Sequence, residues 1–369
     1  MQVVVAGAGI IGCSTGLYLA RRGIKVCIVD PDPTRGATRP SWAWLNASKK
    51  SPEHYRRLNM DGMAEWAASF PHLVHAKSSV LLDDARPSTD PDYPCEALSC
   101  HQLCEAEPAL NSKALEGRSI HRYTQEAWVD PHKACASMLE EARSLGAEVL
   151  LGESISSLVK TSDVSSGGER VTGVRTTSGT DFDADVVVLA CGTGVPVLAG
   201  QLGLQVPLLR KPARVAYTST LPPGTLSCML CSPRVFLVQR PDGTFQLGQA
   251  YESEEEDASA CMGEALMRDA VQLLPALATT RIEGVQVAFR PYPQDGHPVV
   301  GFAGEGLYMA TTHSGMTLGP LMGRLVAQEV ASRGQELAPQ LAPYRPQRTF
   351  GSNAAYGGAE RDDHGLTPF

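Results

Sequence analysis

The chain begins with a short apolar segment that runs into a glycine-rich turn and then into a helical pattern. The turn carries Gly7, Gly9 and Gly12 in the spacing Gly-x-Gly-x-x-Gly, with Ile10 and Ile11 between the last two glycines. In nucleotide-binding folds the first glycine permits the tight turn, the second lets a pyrophosphate approach the backbone, and the third lets the helix pack against the strand. The unpaired N–H groups at the start of the helix favour binding of the phosphates. The turn therefore predicts a bound dinucleotide.

A second apolar segment follows the predicted helix and ends with an acidic residue. Residues 25–29 read as a strand, and Asp30 stands at its carboxyl end. An acid at this position accepts hydrogen bonds from ribose hydroxyls and disfavours a 2′-phosphate. Asp30 suits the adenosine ribose of either FAD or NAD, so this part of the chain leaves the choice between the two open.

Composition and charge narrow the class of protein. The chain has 369 residues, of which 43% are hydrophobic and 20% are charged, as in a globular protein large enough for two domains. The net charge of -8 and the lack of a basic stripe argue against a nucleic-acid partner. No apolar run is long enough to cross a membrane, and no signal peptide is recognisable, so we expect a cytoplasmic protein with reduced cysteines. The CxxC pair Cys228 and Cys231 has no second pair at zinc spacing, so no metal site is expected.

Segments typical of a parallel α/β sheet return in the middle and near the end of the chain. Residues 185–190 are a continuous apolar run that enters a second glycine turn at Gly192, and residues 307–310 precede a helical pattern over 316–332. The stretch 206–290 instead favours antiparallel strands. A nicotinamide dehydrogenase normally keeps its nucleotide-binding half in one block, so this interleaved order favours FAD.

The predicted fold class is therefore α/β, with a Rossmann-like FAD-binding domain interleaved with an antiparallel-β-rich substrate domain. The division assigns residues 1–80, 130–203 and 295–350 to the FAD-binding domain, 81–129 and 204–294 to the substrate domain, and 351–369 to a disordered tail.

Four segments together carry a likeness to a known family. They are the glycine turn with Asp30, residues 127–131, residues 184–192, and residues 289–301 followed by 306–320. In their order and spacing the chain resembles the FAD-dependent D-amino acid oxidase superfamily, and particularly the glycine oxidases and sarcosine-oxidase-like enzymes. The resemblance implies a glutathione-reductase-type fold, a bound FAD and the oxidation of amines or amino acids.

The resemblance also implies which residues contact FAD. The helix that starts at Gly315 would present its N-terminus to the flavin and stabilise the negative charge that develops there on reduction. Thr38, Arg39 and Ser41 would contact phosphate, and Trp44 would lie beside the ring. No cysteine stands clearly at a covalent-flavin position, so a non-covalent FAD is expected. The predicted cofactor contacts are Gly7, Gly9, Ile10, Ile11, Gly12, Asp30, Thr38, Arg39, Ser41, Trp44, Ile155, Cys191, Gly192, Arg290, Gly315, Met316, Thr317 and Leu318.

Arg290 is the predicted substrate-binding residue. We expect it at the end of an apolar strand, just before a proline turn, where a buried guanidinium needs an anionic partner. A substrate carboxylate would supply that partner in bidentate geometry, and an internal Asp or Glu is the alternative. The resemblance implies the carboxylate, because an arginine at the matching position binds it in glycine oxidase and D-amino acid oxidase. His313 is the second candidate catalytic residue, with capping of the helix as its alternative role.

Two positions depart from the pattern of the family. Phe236 replaces a tyrosine that helps to hold the carboxylate in some members. Gln246 stands where sarcosine-oxidase-like members carry a lysine linked to oxygen activation. The identity of the substrate therefore stays open, as does the choice between O2 and another electron acceptor.

The predicted function is oxidation of the C–N bond of a small amino acid or N-substituted amino acid. Hydride passes to the flavin N5, and the resulting imine is hydrolysed. The alternatives are a flavoprotein dehydrogenase subunit that passes electrons to a partner, an oxidase that acts on a different amine scaffold, and a non-catalytic nucleotide-binding module. The sequence predicts no oligomeric state.

Overall fold

A computed structural model of the chain describes residues 1–75, 78–84, 87–163, 168–249 and 260–350. The tail predicted over 351–369 lies outside the described residues. Within the described ranges the strands are β1 (Gln2–Ala6), β2 (Lys25–Asp30), β3 (Trp44–Leu45), β4 (Val74–His75), β5 (Ser79–Leu82), β6 (Glu96–Ala97), β7 (Ile120–Tyr123), β8 (Ala127–Val129), β9 (Glu148–Leu151), β10 (Ile155–Asp163), β11 (Gly168–Thr176), β12 (Asp181–Asp183), β13 (Val186–Leu189), β14 (Leu208–Thr218), β15 (Met229–Cys231), β16 (Val235–Gln239), β17 (Phe245–Gln249), β18 (Ile282–Pro293), β19 (Val299–Gly304) and β20 (Leu307–Thr311).

The α-helices of the same ranges are α1 (Ile10–Arg21), α2 (Glu53–Ser69), α3 (Cys100–Ala106), α4 (Ser112–Leu115), α5 (Pro131–Ser144), α6 (Val195–Gly200), α7 (Ala260–Leu273) and α8 (Gly315–Ala331). None of these helices combines the length and the apolar composition that a bilayer crossing requires.

The first sheet is buried on both faces. Its strands follow the order β19-β20-β13-β1-β2-β9, and all neighbours are parallel except the antiparallel pair β19 and β20. Val3 and Val5 of β1 pack on the side of α1, α5 and α8, whereas Val4 packs on the side of β10, β11 and α6. Successive side chains of a strand point to opposite faces, so a continuous apolar run such as β1 fits a sheet covered on both sides.

The second sheet is assembled from two distant parts of the chain. Its order is β18-β14-β17-β16-β15-β5-β7-β6, with antiparallel neighbours except at the parallel pair β15 and β5. Helix α7 covers one face of this sheet, where Leu266, Ala270 and Leu273 join Leu237 and Leu247 in a common apolar cluster. Two small sheets, β10-β11-β12 and β3-β8-β4, complete the described strands.

Strand β18 corrects one expectation from the sequence. The strand does not end at Arg290 but continues to Pro293, and Arg290 lies opposite Lys211 of β14. The prolines at 291 and 293 are tolerated because β18 is at the edge of the sheet, where a missing N–H need not leave a neighbouring strand without its hydrogen bond. Arg290 is therefore held within a strand ladder rather than at the end of a strand.

Helices α1 and α8 approach each other closely through small residues. A Cβ added to Gly323 of α8 would lie 2.2 Å from the Oγ of Ser14 in α1. A Cβ added to Gly319 would lie 2.7 Å from Cγ1 of Ile10. This packing places the N-termini of both helices at the same edge of the first sheet.

Candidate active site

A cavity of about 660 Å³ opens at the carboxyl ends of the parallel strands in the first sheet. Ala6, Asp30 and Thr311, which end three of these strands, lie on its wall, as do Ala190, which follows β13, and the N-termini of α1 and α8. Ligands of open α/β sheets bind in the crevice outside these strand ends. Strands β14 and β18 of the second sheet close the opposite side.

Most of the site residues predicted from the sequence lie on this wall. They are Gly7, Gly9, Ile10, Ile11, Asp30, Thr38, Ser41, Trp44, Ile155, Cys191, Gly192, Arg290, His313, Gly315, Met316 and Thr317. Gly12, Arg39 and Leu318 are not among the residues that line the cavity.

The glycine turn is held by close backbone contacts. Gly7 has φ +106°, and a Cβ there would lie 2.7 Å from the carbonyl oxygen of Ala190. A Cβ on Gly12 would lie only 1.9 Å from the carbonyl oxygen of Gly7, so Gly12 serves the contact between α1 and the turn rather than the wall. A ligand in the cavity therefore meets main-chain atoms, as a pyrophosphate requires.

Asp30 and Thr38 bind the same turn from two sides. Asp30 accepts hydrogen bonds from the backbone N–H of Ala8 at 2.6 Å and of Asp32 at 2.8 Å. Burial raises the pKa of Asp30, and these two N–H groups oppose that rise. The Oγ1 of Thr38 accepts from the N–H of Ile10 at 3.1 Å, at the first turn of α1. Both side chains shape the N-terminal end of α1.

Arg39 and Leu318 have contacts away from the cavity wall. The Nη1 of Arg39 lies 2.7 Å from the Nδ1 of His132, in the first turn of α5. Leu318 is fully buried among the apolar side chains between α8 and its neighbours. Neither residue is on the cavity wall in this geometry. Their roles as cofactor contacts stay predictions.

Aromatic side chains form one part of the wall. Phe236 lies between Trp42 and Trp44, with ring centroids 5.7 and 6.4 Å away. The Nε1–H of Trp44 donates to the carboxylate of Glu126 at 2.7 Å, and the Tyr93 hydroxyl donates to the same group at 2.6 Å. Glu126 is completely buried, so it orients Trp44 from behind.

Arg290 and His313 form a pair on the wall. The Nη1 of Arg290 lies 3.2 Å from the Nε2 of His313. Burial, and then the charges of Arg290, Lys50 and Lys211, hold the pKa of His313 well below its usual value. The imidazole is therefore neutral near pH 7. Because a guanidinium can only donate, Nε2 accepts and the proton of the ring is on Nδ1.

Lys50 is a wall residue that the sequence reasoning did not single out. Its Nζ donates to the Oγ of Ser314 at 3.0 Å, immediately before α8, and the Tyr55 hydroxyl lies 2.8 Å from the same oxygen. Burial lowers the pKa of Lys50 to about 8, with Arg290 adding to the effect and Glu126 opposing it. No motif or spacing in the sequence points to Lys50 as a site residue. The one indication is that Lys50 lies in the same segment as Trp44, which was predicted to contact the cofactor.

Two further residues bear on the sequence predictions. The amide of Gln246 donates to the carbonyl oxygen of Ser41 at 2.8 Å, and Gln246 is not among the lining residues. Cys191 does line the cavity, and burial raises the pKa of its thiol to about 12. A thiol with so high a pKa is a poor nucleophile, which is in keeping with the expectation of a non-covalent cofactor.

Comparisons with known proteins bear on the family and the fold. The family model described as FAD dependent oxidoreductase matches residues 2–329. Glycine oxidase of Pseudomonas aeruginosa is 27% identical over 372 residues, which covers 94% of this chain and 98% of that protein. The crystal structure of glycine oxidase from Geobacillus kaustophilus superposes with a TM-score of 0.81 at 22% identity, covering 95% of this chain and 100% of the other. L-proline dehydrogenase from P. horikoshii gives a TM-score of 0.79 at 19% identity, covering 94% and 97%. The predicted fold class is confirmed.

Proposed function

The chain belongs to the family of FAD-dependent oxidoreductases, and from this premise we propose that it oxidises the C–N bond of a small amino acid or N-substituted amino acid. The family membership confirms both the resemblance seen in the sequence and FAD as the cofactor. Glycine oxidase among the relatives supports an amino acid as the substrate.

The backbone and the helix N-termini that line the cavity suit the binding of FAD. Gly7 and Gly9 present main chain to it, and the N-termini of α1 and α8 both meet its wall. We assign the pyrophosphate to the N-terminus of α1 and the flavin to the N-terminus of α8. The pyrophosphate carries negative charge and the flavin develops it on reduction, and a helix N-terminus stabilises such charge. Bound FAD supplies the acceptor for the two electrons of the oxidation.

The observation that carries the proposed substrate is the position of Arg290. Its guanidinium is on the cavity wall and is oriented by a neutral His313, which takes up one N–H without cancelling the positive charge. A guanidinium binds a carboxylate through two parallel hydrogen bonds. Arg290 would therefore hold the substrate by its carboxylate and fix the orientation of the neighbouring Cα–H.

The chemistry balances as a two-electron oxidation. The amine loses a hydride from carbon and a proton from nitrogen, and the C–N single bond becomes the double bond of an imine. Water then adds to the imine, which releases an oxo-acid and ammonia or a primary amine. Orientation of the substrate is the main contribution asked of Arg290, since proximity can account for much of the rate.

The domain division is part of this proposal. Residues 1–80, 130–203 and 295–350 would bind FAD, and residues 81–129 and 204–294 would shape the substrate end. The large sheet that contains β14 and β18 supports this assignment, because these two strands carry Arg290 and its neighbours on the wall.

The test is an anaerobic titration of the purified yellow holoprotein with D-, L- and N-methyl amino acids, following the flavin absorbance. We expect bleaching by at least one of them. Arg290→Met should lower kcat/KM for that substrate by about 100-fold, since hydrogen bonds to a charged group are lost. Arg281→Met is the matched control, because Arg281 is a largely exposed residue next to β18.

A colourless protein, or a flavin that none of these compounds reduces, would overturn the proposal. Equal kinetics of Arg290→Met and the wild type would remove Arg290 from the substrate site. Repeating the reaction in air separates the acceptors: hydrogen peroxide indicates an oxidase, and bleaching without peroxide indicates a dehydrogenase that passes electrons to a partner.

A further inference from the structure

Two basic side chains converge where α8 begins. Arg290 contacts His313, and Lys50 contacts Ser314, the next residue along the chain. Arg290 and Lys50 both line the cavity. Its wall therefore carries two cationic groups near the start of α8.

The segment that carries Lys50 is held in place from several sides. The N–H of Asn46 donates to the Oγ1 of Thr317 at 3.3 Å, and the N–H of Ala47 donates to the Tyr93 hydroxyl at 2.9 Å. Lys50 is therefore positioned by the fold, and its ammonium is not a mobile surface charge.

Lys50 has binding capacity that the protein does not use. An ammonium group has three N–H donors, and in the described part of the chain Lys50 donates to one acceptor, the Oγ of Ser314. No carboxylate of the described residues lies within 4.0 Å of its Nζ. Glu126 is the acid that acts on it, but this buried carboxylate already binds Trp44, Tyr93 and Ser79.

The acids of the cavity wall are engaged elsewhere. Asp30 and Asp32 follow β2, where Asp30 binds the glycine turn and Asp32 binds the backbone and side chain of Thr34. A half-buried ammonium without a carboxylate partner is costly unless a ligand supplies the negative charge. A monocarboxylate held by Arg290 would leave Lys50 without such a partner.

We propose that the substrate is an amino acid with a second acidic group, and that Lys50 binds this second carboxylate while Arg290 binds the first. The inference rests on the proposed function and deepens it, because it names a substrate of net negative charge. Its oxidation is the same two-electron step, and the second carboxylate takes no part in the chemistry.

The experiment compares amino acids that have a second carboxylate with matched analogues that lack its charge, on the holoenzyme. Aspartate is paired with asparagine, glutamate with glutamine, and N-(carboxymethyl)glycine with N-methylglycine, in both enantiomers where these exist. We expect kcat/KM to favour the acid by about 10- to 100-fold, the range expected for a hydrogen bond between charged groups. In Lys50→Met this ratio should fall close to one, whereas Lys50→Arg should retain most of it.

Two controls keep the test decisive. Lys113→Met removes an exposed lysine of α4 that does not line the cavity and should keep the wild-type ratio. Should Lys50→Met fail to retain FAD, the wild type alone still answers the question: succinate should perturb its flavin spectrum at concentrations about 10-fold lower than propionate.

The outcomes of this test are distinguishable. Equal turnover of acids and amides by the wild type, or an unchanged preference in Lys50→Met, overturns the role of Lys50 and leaves the amino acid oxidation standing. Equal binding of succinate and propionate does the same. A flavin that no amino acid reduces overturns the proposed function together with this inference.

Discussion

The electrostatics of single side chains distinguish the roles of Arg290, His313 and Lys50. Burial holds His313 neutral, so it can accept a hydrogen bond from Arg290 without cancelling the charge of the guanidinium. Lys50, with a pKa of about 8, is mostly protonated at pH 7 but loses its charge in mildly alkaline solution. The same desolvation therefore fixes the state of one group and makes the other sensitive to pH.

The pKa of Lys50 predicts a pH dependence of substrate preference. Lys50 is cationic below pH of about 8 and neutral above it, so the ratio of kcat/KM for a dicarboxylate over its amide should fall as the pH rises from 7 to 9.5. The amines of the acid and of its amide ionise at different pH, and kcat/KM reports the free enzyme and the free substrate, so the ratio is compared at each pH with the same ratio in Lys50→Arg. Assays across this range measure both ratios.

Lys50→Arg provides the check on this prediction. An arginine keeps its charge throughout this range, so the ratio in Lys50→Arg should change only through the ionisation of the two substrates up to pH 9.5. A ratio that falls in the same way in Lys50→Arg would show that another group is responsible.

Among the secondary-structure elements, α1 and α8 have the most direct effect on the site. Both begin at the cavity, and both carry small residues where they meet or where they touch the first sheet. A helix N-terminus stabilises negative charge only within its first turn. The closeness of these helices to the strand ends therefore decides whether their N–H groups reach a cofactor at all.

Gly12→Ala tests this dependence. The added Cβ would meet the carbonyl oxygen of Gly7 at 1.9 Å, which must push α1 away from the glycine turn. We expect a loss of roughly 3 kcal/mol in the free energy of unfolding, as for an overpacked core, and a marked loss of bound FAD. Urea denaturation and the flavin content after desalting measure the two effects.

Gly200→Ala is the matched control for this substitution. Gly200 is at the end of α6, and a Cβ there would meet no atom within 4 Å. The free energy of unfolding of Gly200→Ala should differ from that of the wild type by no more than about 0.5 kcal/mol, as at an ordinary surface position. Full FAD content and an unchanged midpoint of urea denaturation in Gly12→Ala would contradict the role given to the contact between Gly12 and Gly7.

In the molecule as a whole, the cavity draws its wall from segments between Ala6 and Thr317. Most of the chain must be folded before this wall exists, so binding of FAD is linked to folding of both large sheets. A ligand that binds the native state alone stabilises it by mass action.

Removal of FAD should therefore lower the thermal stability of the entire molecule. At 1,000-fold excess over Kd, the ligand contributes about 4 kcal/mol, and for a chain of this length this corresponds to a decrease in Tm of about 5 °C in the apoprotein. Calorimetry of the holoprotein and of apoprotein measures this shift, and added FAD should restore it. An apoprotein with the same Tm would contradict the binding of FAD to the native state alone.

The elements that line the cavity near the glycine turn were predictable from the sequence because their signals are local. The glycine turn, the strand that ends at Asp30, the apolar run of β13 and the start of α8 each depend on residues that are neighbours in the chain. Their period and their turn residues are visible without any knowledge of the partners.

Tertiary structure decided which side chains reach the cavity. Lys50 and Ser314 are 264 residues apart in sequence, and Arg39 meets His132 rather than the wall. Strand β18 runs on through two prolines because it lies at a sheet edge, which no pattern within the strand reveals. Side-chain partners of this kind follow from the packing of distant segments, whereas the backbone turn at the start of α1 follows from its own glycines.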